Sequence, residues 1–431
     1  MAPRLFADTR PLRHPDYRRL WTAQIVTTIG AQLTVVSVPA QLWQLTHDSA
    51  IVGLTGVFGL VPLLVFGLWG GALADHFDRR QLALLAGVGL VAASSLFAVQ
   101  AFAGLHNVWL ILGLFSVQQA FFAITSPART AMLPSLVEPD ELAAANALNT
   151  TVFLFGGIAG PLVGGMLIPV LGFSWLYLAD ALFLLSTVYA VWKLPPMLPR
   201  RSEGAATHRR PGLRSIADGL GYLKGSPVLL MSFVVDLVAM VFGMPRVLFP
   251  QLADVNFGGP SDGGVALAVL FAAIPFGGFL GGVFSGWVSR VRHHGVAVLV
   301  CVLCWGLCVI AFGLACVLAG GTMLPWLVVA VAAMAVGGAS DTASSAFRST
   351  MLMQAADDDV RGRLQGVFFV VVVGGPRVAD VAHGLAAARI GAGWASLWGG
   401  VLVVLGVAAC AVFGRSFRDY RAPEVTALRT T

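Results

Sequence analysis

The charged residues of this chain are gathered into short clusters, and between the clusters run long stretches that carry none. No Asp, Glu, Lys or Arg occurs from Leu20 to Thr46, from Ser49 to Ala74, from Gln81 to Ala128 or from His293 to Ser340. A helix on a soluble protein needs a polar face, and these stretches offer none. A bilayer core about 30 Å thick is crossed by about 20 apolar residues in a helix. The two longest stretches are each about twice that length. Each breaks near its middle at a small or polar turn, Ala103-Gly104-Leu105-His106-Asn107 in one and Gly320-Gly321-Thr322 in the other. Each reads as two spans joined outside the hydrocarbon, so the chain reads as an integral membrane protein.

Composition agrees. Of 431 residues, 57% are hydrophobic and only 11% charged, where soluble domains run near 25% charged. The 50 glycines and 22 prolines suit close helix contacts and helix breaks that neighbouring helices repair. The net charge of +6 comes from basic residues in the predicted membrane-flanking loops, which argues against a nucleic-acid partner. Arg4, Arg10, Arg13, Arg18 and Arg19 make the first 19 residues polar, so no cleavable signal peptide is expected and the first span serves as the anchor. Cys301, Cys304, Cys308, Cys316 and Cys410 all fall inside predicted spans. They read as small apolar filler, with no second ligand pair to make a metal site of the Cys301–Cys304 spacing.

Cutting at Gly, Pro and charge clusters gives twelve helices, at about 20–46, 50–75, 81–103, 107–128, 141–169, 173–194, 227–254, 264–290, 295–318, 323–349, 362–386 and 391–414. The predicted organisation is an N-terminal segment 1–19, a six-helix half 20–197, a polar linker 198–226, a second six-helix half 227–414 and a tail 415–431. An amphipathic surface helix is expected within the linker, from Leu213 to Leu223. Placing both ends in the cytoplasm puts Arg79, Arg80, Arg129, Arg290, Arg292, Arg361, Arg363, Arg415, Arg418 and Arg421 on the inner side. Only Arg389 is left outside.

After the second span the chain reads Gly71, Asp75, His76, Asp78, Arg79, Arg80. This resembles the G-x-L-A-D-R-x-G-R-K signature of the major facilitator superfamily, with His76 in place of the first Arg and Asp78 in place of the second Gly. The resemblance implies that Gly71, Asp75, Arg79 and Arg80, with Arg129 at the inner end of the fourth span, act as a gate at the cytoplasmic rim. In the second half the matching place follows the eighth span at Ser285, Gly286, Ser289 and Arg290, so the repeat there is degenerate. In the fifth span Gly156, Gly160, Pro161, Gly164 and Gly165 resemble the G-x-x-x-G-P-x-x-G-G element carried by exporters of that superfamily. Small residues four apart also let another helix approach closely. Further strings at Val38 to Gln41, Arg246 to Asp254, Phe271 to Gly277 and Gly362 to Gly366 are similar to the enterobactin (siderophore) exporter subfamily. The resemblance implies an all-α membrane fold of two six-helix halves, with a central cavity lined by the first, fourth, seventh and tenth helices.

A charge in hydrocarbon costs about 3 kcal/mol or more, so such residues usually face a cavity or a partner. Asp180, Asp236, Arg246, Arg377 and Asp380 stand clear of predicted helix ends. Asp236 has no basic residue within one turn, which makes it the first candidate for carrying protons, with Asp380 and Asp180 behind it. Arg377 and Asp380 share a helix face. They follow Gly374-Gly375-Pro376, where an interruption of the helix is expected. Asp341 and Arg348 also share a face, and there the structural reading leads. Candidate cavity residues are Gln24, Thr28 and Gln32 on the first helix, Gln118, Gln119 and Phe122 on the fourth, Met240 and Arg246 on the seventh, and Arg377 on the eleventh. Amides beside aromatic and thioether groups suit a large substrate with polar and apolar parts. No catalytic constellation, metal-ligand spacing or phosphate loop is present in the sequence, so no cofactor is expected and an ion or substrate gradient must supply the energy. The expectation is a monomeric exporter in the bacterial inner membrane. It would move a siderophore or similar amphiphilic molecule by proton antiport, the alternative being a multidrug pump of the same fold.

Overall fold

The computed structural model describes residues 8–197, 221–223, 225–355 and 358–421, with side chains apart from those at 68–76, 355, 358–363 and 365–369. Among the described residues there is no strand. The first lobe comprises α1 (Pro15–Thr46), the short α2 (Ser49–Gly53) continued by α3 (Thr55–His76), α4 (Arg79–Phe102), α5 (Val108–Met132) and α6 (Leu142–Trp192). The second comprises α7 (Pro227–Gly243), α8 (Val265–Val283), α9 (His294–Ala319), α10 (Trp326–Ala355), α11 (Asp358–Ile390) and α12 (Ala392–Phe413).

Eleven described segments are long and apolar enough to cross a bilayer, and the longest, Pro139–Trp192, holds two crossings. Its turning point is Gly172, whose φ of 77° and ψ of 168° lie outside the helical region and favour a residue without Cβ. The contacts with α1 show the reversal. Tyr17, Thr28, Gln32 and Leu33 meet Ala145, Gly156, Gly160 and Gly164 in the same order. Thr27, Thr34 and Gln41 then meet Thr187, Asp180 and Tyr177 in the opposite order. The fifth and sixth spans are therefore antiparallel neighbours, and the expected twelve spans are reached.

Local sequence explains where the helices start. Asp78 caps α4 by accepting from the backbone N–H of Arg80 at 2.9 Å, and Asn107 caps α5 by accepting from those of Trp109 and Leu110. Such caps are each typically worth about 1 kcal/mol. Helix α1 begins ahead of the predicted 20, at Pro15, because proline at the first helical position forfeits no hydrogen bond. The predicted eighth span, 264–290, is shorter in the structure: α8 ends at Val283, and Ser285–Arg290 forms a 3₁₀ turn.

The one expected interruption is absent, and a different span is broken. Helix α11 continues unbroken through Gly374, Gly375 and Pro376. The seventh span breaks instead: α7 stops at Gly243, Met244 is non-helical (φ −113°, ψ 79°), and a 3₁₀ turn Pro245–Leu248 follows. Irregular backbone at membrane depth is tolerated where protein buries it or where it lines a cavity. Here the His383 ring bonds the freed carbonyl of Phe242 through Nε2 at 3.0 Å. Residues 198–220, with most of the expected surface helix, lie outside the described set, as does the tail from 422 onward.

The lobes meet at the face remote from both chain termini. Trp43 Nε1 donates to Asp254 Oδ2 at 2.9 Å, Ser49 Oγ bonds Gln251 Oε1, and the Gly264 N–H donates to the Gly165 carbonyl at 2.8 Å. Gly53 and Gly56 lie against the α11 backbone at Asp380, Gly384 and Arg377, and Gly165 lies against Ala268 of α8. On the terminal face Arg10, His14, Arg79 and Arg80 bond inside the first lobe, and His294 packs with Phe347 and Tyr420 inside the second.

Candidate functional site

The break in the seventh span places Arg246 on the 3₁₀ turn between the lobes. There it lines an internal cavity of about 60 Å³ together with Arg377 and Asp380 of α11. The other walls are Val35, Val38 and Pro39 of α1, Thr55 of α3, Phe115 of α5, Val247 beside Arg246, and Phe271 of α8. Both lobes thus contribute, and the far-face seam closes over the cavity. Arg377 Nη1 lies 3.7 Å from Asp380 Oδ2, and the Arg377 guanidinium sits 5.3 Å over the Phe115 ring. The second carboxylate oxygen of Asp380 is buried without a hydrogen bond. Arg377 and Asp380, which the sequence pairs on one helix face, are joined in one pocket by Arg246 of the seventh span.

Asp236 is not unpaired, as the sequence suggested. It forms a buried ion pair with Arg348 of α10, and Asp341 Oδ1 lies 3.7 Å from the same guanidinium. The sequence missed this partner because it comes from a helix distant along the chain; spacing along one helix cannot report it. One cation therefore serves two carboxylates. Next to it is a cavity of about 10 Å³ lined by Ser232, Phe233 and Leu352 among others. Asp180 is fully buried within the first lobe, where its Oδ2 accepts from Thr34 Oγ1 at 2.7 Å and Ser94 Oγ at 2.8 Å. Gln118 donates to Ser94 at 3.2 Å and so belongs to that network.

None of Thr28, Gln32 and Met240 lines the pocket of Arg246, Arg377 and Asp380. Thr28 and Gln32 lie against Gly156 and Gly160 of α6, and Met240 lies against Gly375 of α11. Gln119 is buried, Phe122 is half exposed, and neither lines the pocket. Gln24 instead accepts from Arg129 Nη2 at 3.0 Å, which ties a cavity candidate to a gate candidate. The glycines of the fifth span serve two contacts: Gly156, Gly160 and Gly164 seat α1, whereas Gly157 and Gly165 face Pro275 and Ala268 of the opposite lobe.

At the terminal face the basic pair holds its own lobe. Arg79 Nη1 donates to the Ala131 carbonyl at 2.8 Å, and Arg80 Nη2 donates to the Trp192 carbonyl at 2.6 Å. Both acceptors are at helix C-terminal ends, where cations are favoured. The carboxylate of Asp78, one of the departures from the signature, caps α4 and also accepts from the Met197 N–H at 3.1 Å. Gly71 and Asp75 lie near the end of α3, with side chains outside the described set.

Residues 7–423 match the family model described as transmembrane secretion effector. The chain belongs to that family, within the major facilitator superfamily. The enterobactin exporter EntS of Shigella boydii serotype 4 is 28% identical over 421 residues, 96% of each chain. That of Escherichia coli O1:K1 / APEC is likewise 28% identical, with the same coverage. Among solved structures, the nucleoside transporter NupG superposes with a TM-score of 0.70 at 12% identity, covering 93% of this transporter and 99% of that chain. A bacterial homologue of the iron transporter ferroportin in the inward-facing state gives 0.67 at 15% identity, covering 92% and 98%. These structural likenesses carry the fold alone: two lobes of six membrane spans.

Proposed function

We propose that this transporter exports a siderophore or similar amphiphilic small molecule from the cytoplasm, by alternating access driven by inward proton movement. The observation that carries the reading is an interlobe pocket, polar at one wall and apolar at the others, closed by contacts at one face only of those described. The likeness to enterobactin exporters over 96% of both chains supports the substrate class. In this reading both termini are cytoplasmic, the inner membrane is the site of action, and the structure is the state closed toward the outside.

The proton is carried by the carboxylates around Arg348. With one guanidinium between Asp236 and Asp341, the group holds one excess negative charge inside the second lobe. A single proton neutralises it, which in low dielectric is a large electrostatic change. Asp380 and Asp180 rank behind this group, since the first faces the substrate pocket and the second is held by Thr34 and Ser94.

A deletion strain grown in low iron tests the substrate. The expected result is siderophore build-up inside the cells, relieved by the wild-type gene. Unchanged siderophore levels together with broad sensitisation to amphiphilic antibiotics would replace the reading with a multidrug pump, for which the apolar walls Val35, Val38, Phe115 and Phe271 speak.

A further inference from the structure

We infer that the Arg246–Arg377 pocket is a subsite for one acidic group, a carboxylate or comparable oxyanion carried on or beside a flat ring, with Asp380 acting as the internal anion that the ligand displaces from Arg377. This rests on the export reading for its purpose but not for its test. The charge of the pocket comes first. Two guanidinium groups and one carboxylate face it, and no second carboxylate is among its lining residues. The site therefore has one positive charge in excess, deep between two lobes, where an uncompensated charge is costly.

Geometry points the same way. Arg246 makes no hydrogen bond or ion pair within 4 Å among the described residues, and the Asp380 contact to Arg377, at 3.7 Å, is too long for a hydrogen bond. Asp380 is thus shared between two cations, neither of which it holds by a hydrogen bond: Arg246 acts on it by charge alone and Arg377 is loosely held. The cavity's volume of about 60 Å³ has room for about four water-sized groups, enough for an acid group and part of a ring but not for a whole siderophore. Phe115, already stacked under Arg377, offers a face on which such a ring can lie. Apolar groups on α1 and α8 complete the wall.

Benzoate and benzamide share a ring and differ by one charge, so saturation-transfer NMR on the purified full-length protein separates the effects. The wild type is expected to bind benzoate about tenfold or more tightly than benzamide, as charge-assisted hydrogen bonds require. Arg246→Gln and Arg377→Gln should each erase most of that preference while leaving benzamide binding in place, which also reports that the variants are folded. Asp380→Asn removes the internal competitor and should tighten benzoate several-fold, an outcome that a structural role for Asp380 would not produce. Equal binding of the two probes by the wild type, survival of the preference in both glutamine variants, or weaker benzoate binding in Asp380→Asn would overturn the assignment. A benzoate preference without siderophore flux would retain the subsite and reject the export reading; flux without the preference would do the reverse.

Discussion

Replacing Arg348 with methionine is expected to destabilise the transporter by about 3–5 kcal/mol. Arg348 and Asp236 are 4% and 2% exposed, so neither reaches water when its partner is lost. The methionine would leave two carboxylates, Asp236 and Asp341, facing each other without a cation. Taking up a proton offsets part of that, which is why the loss should shrink as pH falls. The double replacement Arg348→Met with Asp236→Leu should recover much of the stability, because a buried ion pair is often matched by apolar groups of similar size. Denaturant unfolding of the detergent-solubilised protein checks both. A single variant within about 1 kcal/mol of wild type would mean that the pair is solvated.

Gly165→Leu should stop transport while leaving both lobes folded. A Cβ at this position would sit 2.6 Å from Cα and 2.7 Å from the backbone nitrogen of Ala268 in α8, and backbone cannot move aside as a flexible side chain can. Overpacking costs about 1–3 kcal/mol, and here the cost falls only on the state in which the far face is closed. That shifts the balance between states by about ten- to a hundredfold. The contacts that seat α1, at Gly156, Gly160 and Gly164, are untouched. Gly113, which has open space where its Cβ would be, supplies the control: Gly113→Leu should transport normally. Substrate efflux rates and thiol labelling of a cysteine placed at Thr55 report the two quantities. Normal efflux from Gly165→Leu would contradict the seam.

The number of spans, their division into two halves and the small-residue face of the fifth span were legible because charge spacing and glycine spacing are local properties of the chain. The place of the helix break was not. Gly374-Gly375-Pro376 carries stronger breaking signals than Met244-Pro245, yet Gly375 is needed for close packing on Met240 and α11 runs through. Pro245 instead opens a new turn, where its missing N–H is harmless. Polar residues inside spans could be named from sequence, but not which way they face. Gln41 accepts from Tyr177 and Gln100, and Asp180 accepts from Thr34 and Ser94, so these groups satisfy one another inside one lobe. Arg246, Arg377 and Asp380 share the same composition class but lie between lobes, and only the fold separates the two cases.

Fixing the far face shut gives the sharpest test of whether the lobes rock. Ser49 and Gln251 bond across the seam, so Ser49→Cys with Gln251→Cys, in a chain freed of its five native cysteines, places two thiols within reach of a short bifunctional cross-linker. Cross-linking is expected to abolish siderophore flux in proteoliposomes, and a reducible linker should restore it on cleavage. Undiminished flux through a transporter covalently held at that seam would contradict alternating access.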